Sequence, residues 1–181
     1  MPRHSLVIVD MIEAYLTPGQ KLYCDAAPKI VPAINLLARA TRKTEGLVVF
    51  ANTTLTSTDE PIARKWGMHA VAGTSGPNVW HEIERDPADV IVPKTSYNSF
   101  FRTSLDDLLR SHDVESVAIA GIHTHVCVLL TAAAASDYGY DVTAFEDAMT
   151  TSYRPNHETR LRFFSTHIGT LTTVSDYLNA L

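Results

Sequence analysis

Three residues far apart in the chain, Asp10, Lys94 and Cys127, are of the types that together make an acyl-transfer site. Asp10 ends the apolar run "LVIVD" and Lys94 ends "VIVPK". Cys127 follows the run "VAIAG" by a few residues, at the head of a long apolar segment. A thiol attacks carbonyls as its thiolate. A neighbouring carboxylate can take the thiol proton and return it to a leaving amine. A lysine holds the negative charge in place. Backbone N–H groups at a helix start can bind an oxyanion. These parts describe hydrolysis through a thioester. Taken singly, each residue has an ordinary role: a turn aspartate, a solvated strand-end lysine, a packed cysteine. Their common position at strand ends is what favours a site.

Strand-like and helix-like segments alternate around them. Short β-branched runs at 5–10, 46–52, 89–94, 116–121 and 140–147, with a last one near 169–173, predict six strands. Helical spacing of apolar residues predicts helices over 27–44, 103–112, 124–138 and 156–167, with a short terminal helix. Thr103 is placed to cap the second of these. Near-continuous apolar strands separated by helices mean a parallel sheet covered on both faces. The expected fold is α/β: a Rossmann-like three-layer α/β/α arrangement with a six-stranded parallel sheet, and residues 1–181 as one domain. Ligands of such a sheet sit at the carboxyl ends of its strands. The interval 53–88 breaks the alternation and reads as an excursion that walls a pocket.

Composition narrows the function classes. Fifteen basic and twenty acidic residues give a net charge of −5, with no basic cluster, so nucleic acid is not an expected partner. No apolar run approaches about 18 residues, so no membrane span is expected. The segment "MPRHSLVIVD" enters a strand directly and lacks the pattern of a signal peptide. The two cysteines, Cys24 and Cys127, form neither a disulfide framework nor a metal-like spacing. Cytoplasmic localisation is the default expectation.

Four ordered segments carry a resemblance: "LVIVDMIEAYL", "WGMHAVAGTSG", "KTSYNSFFRTSLDDLL" and "AGIHTHVCVLLTAAAASDYGYDVTAFEDA". Together they resemble the isochorismatase-like cysteine hydrolases, the superfamily that includes nicotinamidases and N-carbamoylsarcosine amidase. The resemblance implies Asp10 as acid/base, Lys94 as electrostatic partner and Cys127 as nucleophile. It implies a cis peptide between Ile122 and His123, and an oxyanion hole made by the backbone N–H groups of His123 and Cys127. It also implies that Tyr15 and Trp66 line the substrate pocket, and a homodimer or homotetramer; Tyr97 and Phe100 are read from their residue types as further parts of an apolar pocket wall, and His69 as a hydrogen-bonding pocket or structural residue. No cofactor is called for. Members that hydrolyse a vinyl ether lack the cysteine, so Cys127 favours cleavage of a C–N bond in a small carboxamide or ureido compound.

The chain departs from the pattern in places. Thr53 and Leu55 stand where metal-binding nicotinamidases carry an Asp-x-His pair, which leaves His69 without its usual partners; a zinc site wants three or four ligands. Asp59 and Glu60 are the neighbouring candidates to complete one. Ile12, Ala14, His125, Asn98 and Ser99 differ at the pocket rim and bear on the substrate. Cys24 reads as structural. Arg154, Arg160 and Arg162 read as a solvated helix face. Two other readings stay open: a nicotinamidase or pyrazinamidase proper, and a non-catalytic binding protein that keeps the fold.

Overall fold

The fold is built on six short β-branched runs that become strands: β1 (Arg3–Val9), β2 (Leu47–Thr53), β3 (Val90–Lys94), β4 (Val114–Ile122), β5 (Asp141–Thr150) and β6 (Thr170–Thr172). The computed structural model describes residues 3–153 and 155–180, so Arg154 lies outside the described residues. All strand pairs are parallel, in the order β3-β2-β1-β4-β5-β6. The helices are α1 (Glu13–Leu16), α2 (Val31–Lys43), α3 (Pro61–Trp66), α4 (Leu105–Ser111), α5 (Leu129–Asp137), α6 (Pro155–His167) and α7 (Val174–Ala180).

Alternation along each strand sends side chains to two cores. Leu6 and Ile8 of β1 join Val48 and Phe50 of β2, and are covered by Ile34 and Leu37 of α2 and Val174 of α7. Val7 and Val9 join Val49, Ala51, Val117 and Ile119 on the opposite face, against Leu105 and Leu109 of α4 and Ala132 and Ala135 of α5. The result is the expected α/β sandwich, because both faces of a parallel sheet must be buried. From β1 the chain runs outward to β2 and β3, then returns to β4 on the far side of β1. That reversal opens a crevice beyond the carboxyl ends of β1 and β4.

Five details differ from the sequence reading. The helix expected over 124–138 opens as a π-helical turn, Thr124–Val128, before α5 begins. The helix expected over 27–44 opens as a 3-10 turn, Ala27–Ile30, with a proline in its first positions. The strand expected over 140–147 continues to Thr150, because a register shift opposite Ile119 and Gly121 absorbs extra residues as a bulge. The interval 53–88 contains α3. Thr103 is not the cap of α4: Ser104 holds that position without a side-chain cap hydrogen bond, and Thr103 Oγ1 accepts from Leu105 N at 3.2 Å from one residue before it.

Gly121 locks β4 against β1 next to the crevice. Its φ is +115°, and a Cβ there would sit 2.2 Å from Val9 O. Gly139, with φ +90°, faces open space. Gly121→Ala is therefore expected to cost more than about 2 kcal/mol, and Gly139→Ala only about 1 kcal/mol. Urea unfolding of the two variants measures the difference; equal midpoints would contradict the close approach.

Candidate active site

The strand ends bring the three chemistry-bearing residues together. Asp10 follows β1 with φ +57°, a left-handed conformation that aspartate tolerates better than most residues. Its backbone N–H is tied to Ala51 O at 3.0 Å. Its carboxylate is turned inward: Oδ1 accepts from Thr53 N at 2.8 Å and Oδ2 from Lys94 Nζ at 2.8 Å. Lys94 ends β3 in register with Thr53 at the end of β2. Its ammonium also donates to Thr53 Oγ1 at 3.0 Å and to Ser96 O at 3.1 Å. All three N–H bonds of the ammonium thus have acceptors, and the Lys94–Asp10 pair is almost fully buried, with side-chain exposures of 0% and 1%.

Cys127 sits in the π-helical turn beyond β4, buried beside this pair. Its thiol is within hydrogen-bonding reach of Asp10 and Lys94, and the backbone amide of His123 reaches its sulfur. The Ile122–His123 peptide is cis. Burial pushes the Cys127 thiol up to about 12, against the opposing pull of Lys94. Burial acts to lower the Lys94 pKa, but Asp10 and Cys127 outweigh it and hold it above its ordinary value. The resting site is a neutral thiol next to an ion pair.

Asp10 and Cys127 line a cavity of about 430 Å³, a size that suits a small organic molecule. Tyr15, Trp66, His69 and Tyr97 line it, as do His123 and Cys127. Trp66 donates from Nε1 to Tyr97 Oη at 3.0 Å across the mouth. Phe100 is a correction: it lies in the core, stacked on Tyr138 and Tyr140, and not on the cavity wall. Tyr97 and Phe100 share one irregular turn, and only the former faces the cavity. Ile62 of α3, Lys21, Tyr23 and the segment Thr151–Tyr153 are wall residues that sequence reasoning missed. They come from a short helix, from a loop and from the segment just beyond β5, where no periodicity marks them. Thr53 was also missed as a site residue. It reads in the sequence as a lost metal ligand, yet it fixes both Asp10 and Lys94.

The described residues do not fit a zinc centre. His69 Nδ1 contacts Gly67 O at 2.7 Å, and a carbonyl only accepts, so the ring proton is on Nδ1. Burial lowers the His69 pKa, which leaves Nε2 an acceptor for the Tyr15 hydroxyl at 2.9 Å. Both nitrogens are therefore engaged. Asp59 is exposed, and Glu60 accepts from Thr56 N and Oγ1. Among the described residues, no group of three or more His, Cys, Asp or Glu is placed to hold a metal ion. Cys24 is buried in the core. Arg160 is not a freely solvated side chain: its Nε is buried with no hydrogen-bond partner. No helix among the described residues is long and apolar enough to cross a membrane.

Comparison with known proteins supplies the family. The chain is 27% identical to the ureidoacrylate amidohydrolase RutB of an Enterobacter species, over 99% of this chain and 90% of that one. It is 27% identical to the maleamate amidohydrolase of Pseudomonas putida, over 98% and 86%. It superposes on N-carbamoylsarcosine amidase from Thermoplasma acidophilum with a TM-score of 0.85 and 28% identity, covering 95% of this chain and 96% of that one. The Isochorismatase domain model matches residues 4–176. That match reaches from the first strand to the last helix and takes in every residue of the cleft, so the chain belongs to the isochorismatase domain family.

Proposed function

We propose that the chain is an amidohydrolase that cleaves a C–N bond in a small carboxamide or ureido compound through a thioester on Cys127. The observation that carries this reading is the buried Lys94–Asp10 ion pair set against a thiol at the floor of a cavity. The amidohydrolase names of RutB and the maleamate enzyme support the bond type.

In this mechanism the thiol stays protonated until a substrate carbonyl is in place. Cys127 then gives its proton to Asp10 as sulfur attacks. Lys94 stabilises the charge that remains and, with its three donors occupied, acts as a fixed cation. The N–H groups of His123 and Cys127 receive the oxyanion. Asp10 returns the proton to the departing ammonia or amine, and water, deprotonated by Asp10, cleaves the thioester. Holding nucleophile, base and carbonyl in one cleft is worth up to about 7–11 kcal/mol of barrier. The aromatic wall of Tyr15, Trp66 and Tyr97 suits a flat substrate.

Turnover of a panel of amides and ureido compounds tests the reading directly. Cys127→Ala is expected to lower kcat by at least about 10³-fold on whichever compound is hydrolysed, and mass spectrometry of the wild type is expected to trap an acyl adduct on Cys127. Full turnover by the variant would overturn the proposal.

The raised thiol makes a second prediction. Its anionic fraction grows tenfold per pH unit until about 12. Alkylation of Cys127 by iodoacetamide, followed by peptide mapping, is therefore expected to be slow at pH 7 and to rise without a plateau through pH 10. A plateau near pH 6 would mean a preformed thiolate and another mechanism.

A third concerns the pair itself. Asp10→Asn or Lys94→Met each strands one buried charge, at a cost of about 3–5 kcal/mol. The double variant is expected to lose less than the sum of the two by about 1–3 kcal/mol. Urea denaturation of the three proteins measures the coupling, and strict additivity would contradict it.

A further inference from the structure

Opposite Tyr15, two histidines share one hydroxyl. Thr151 Oγ1 lies 3.0 Å from His125 Nδ1 and 3.3 Å from His123 Nδ1. Tyr153 N donates to the same oxygen at 3.2 Å. Thr151 is only 2% exposed. A hydroxyl has one proton and two lone pairs. The Tyr153 amide occupies one lone pair, which leaves one acceptor position and one donor. Two imidazole edges cannot both use the same one.

Burial favours the neutral form of both rings. Burial lowers the His123 pKa to about 4, and burial followed by the Arg160 charge lowers that of His125. A neutral imidazole has one N–H and one bare nitrogen. The ring that accepts the Thr151 proton at Nδ1 must carry its own proton on Nε2. The ring that donates from Nδ1 to Thr151 must leave Nε2 bare. Both rings line the cavity with centroids 6.0 Å apart, and among the described residues neither Nε2 has a hydrogen-bond partner.

We infer that Thr151 is a positioning residue that forces His123 and His125 into opposite tautomers, so that the pair presents one donor and one acceptor to the substrate. This rests on the amidohydrolase reading of the same cleft and deepens it. The complement of one donor and one acceptor is an amide or ureido edge, which carries one C=O and one N–H. A carboxylate offers acceptors only and leaves the bare nitrogen facing a lone pair. The preferred substrate therefore bears a second amide or ureido group in addition to the one that is cleaved.

Two measurements test this, and only one needs turnover. Long-range 1H–15N spectra of the imidazoles at pH 7 are expected to show one of the two rings protonated on Nδ1 and the other on Nε2. Thr151→Val is expected to remove that fixed pairing, and Thr151→Ser to keep it. Like tautomers in the wild type, or a charged ring, overturn the inference. In kinetics, the wild type is expected to favour succinamide over succinamate by about tenfold or more in kcat/KM, the effect of one mispaired polar group. The ratio should fall towards one in Thr151→Val and persist in Thr151→Ser. Equal use of the two compounds by the wild type, or an unchanged ratio in Thr151→Val, overturns it. A protein that hydrolyses neither compound leaves the amidase reading to the wider panel of amides and ureido compounds. Calorimetric binding of both compounds to the wild type then decides the preference, and equal or absent binding counts against it.

Discussion

An almost fully buried salt bridge governs this structure. Lys94 and Asp10 lie on different strands, each needs the other to be tolerable in the interior, and neither can move without stranding a charge. Their separation of 2.8 Å is set by the sheet, because β1 and β3 flank β2 and the last residue of β2 bonds to both side chains. The chain thus spends strand register, usually a matter of core packing, on locating an ammonium to a fraction of an ångström. The thiol inherits its surroundings from that pair. Burial raises the pKa of that thiol, and the adjacent cation pulls it back down.

Much of this was legible in the residues themselves. Asp10 and Lys94 close β-branched runs, and a residue that closes a parallel strand lies at the ligand-binding edge whatever the rest of the fold does. Cys127 was legible for the same reason, one turn further on. The contributions of Thr53 and Thr151 were not. Their hydroxyls matter because of what a third residue, distant in sequence, brings next to them, and no local pattern records that. Tyr97 and Phe100 show the same limit at close range: two aromatic residues in one irregular turn face opposite ways, and only packing decides which meets the cavity. His69 matches one histidine of a metal-binding motif but lacks that motif's partners, and reads in the sequence as a hydrogen-bonding pocket residue. In the fold a carbonyl on one side and a phenol on the other give it a hydrogen-bonding task.

The cleft joins two kinds of surface. Asp10, compensated by Lys94, and Cys127 lie among its lining, and around them stand aromatic and histidine rings with aliphatic side chains and Lys21. Residues at strand ends supply the charged base and loops supply the walls, with α3 and the segment just beyond β5 as the main additions. The division is physical. A parallel sheet can fix a few groups with little freedom, whereas loops can vary without disturbing the core. Relatives that share about a quarter of their residues with this chain can keep one arrangement at the bottom while their upper surfaces diverge.

The single wide turn between β4 and α5 has one more implication. A five-residue hydrogen-bonded step, closed here by Val128 N on His123 O, carries one residue more than an ordinary helical turn. One residue corresponds to roughly 100° of rotation about the helix axis. The alanine-rich side of α5 can therefore seat flat on the sheet while the sulfur just ahead of it swings the other way, towards the crevice. With regular winding throughout, those two demands would compete for the same angular position. The loosened coil acts as a swivel, and it lets a residue embedded in the hydrophobic layer also belong to the reaction chamber.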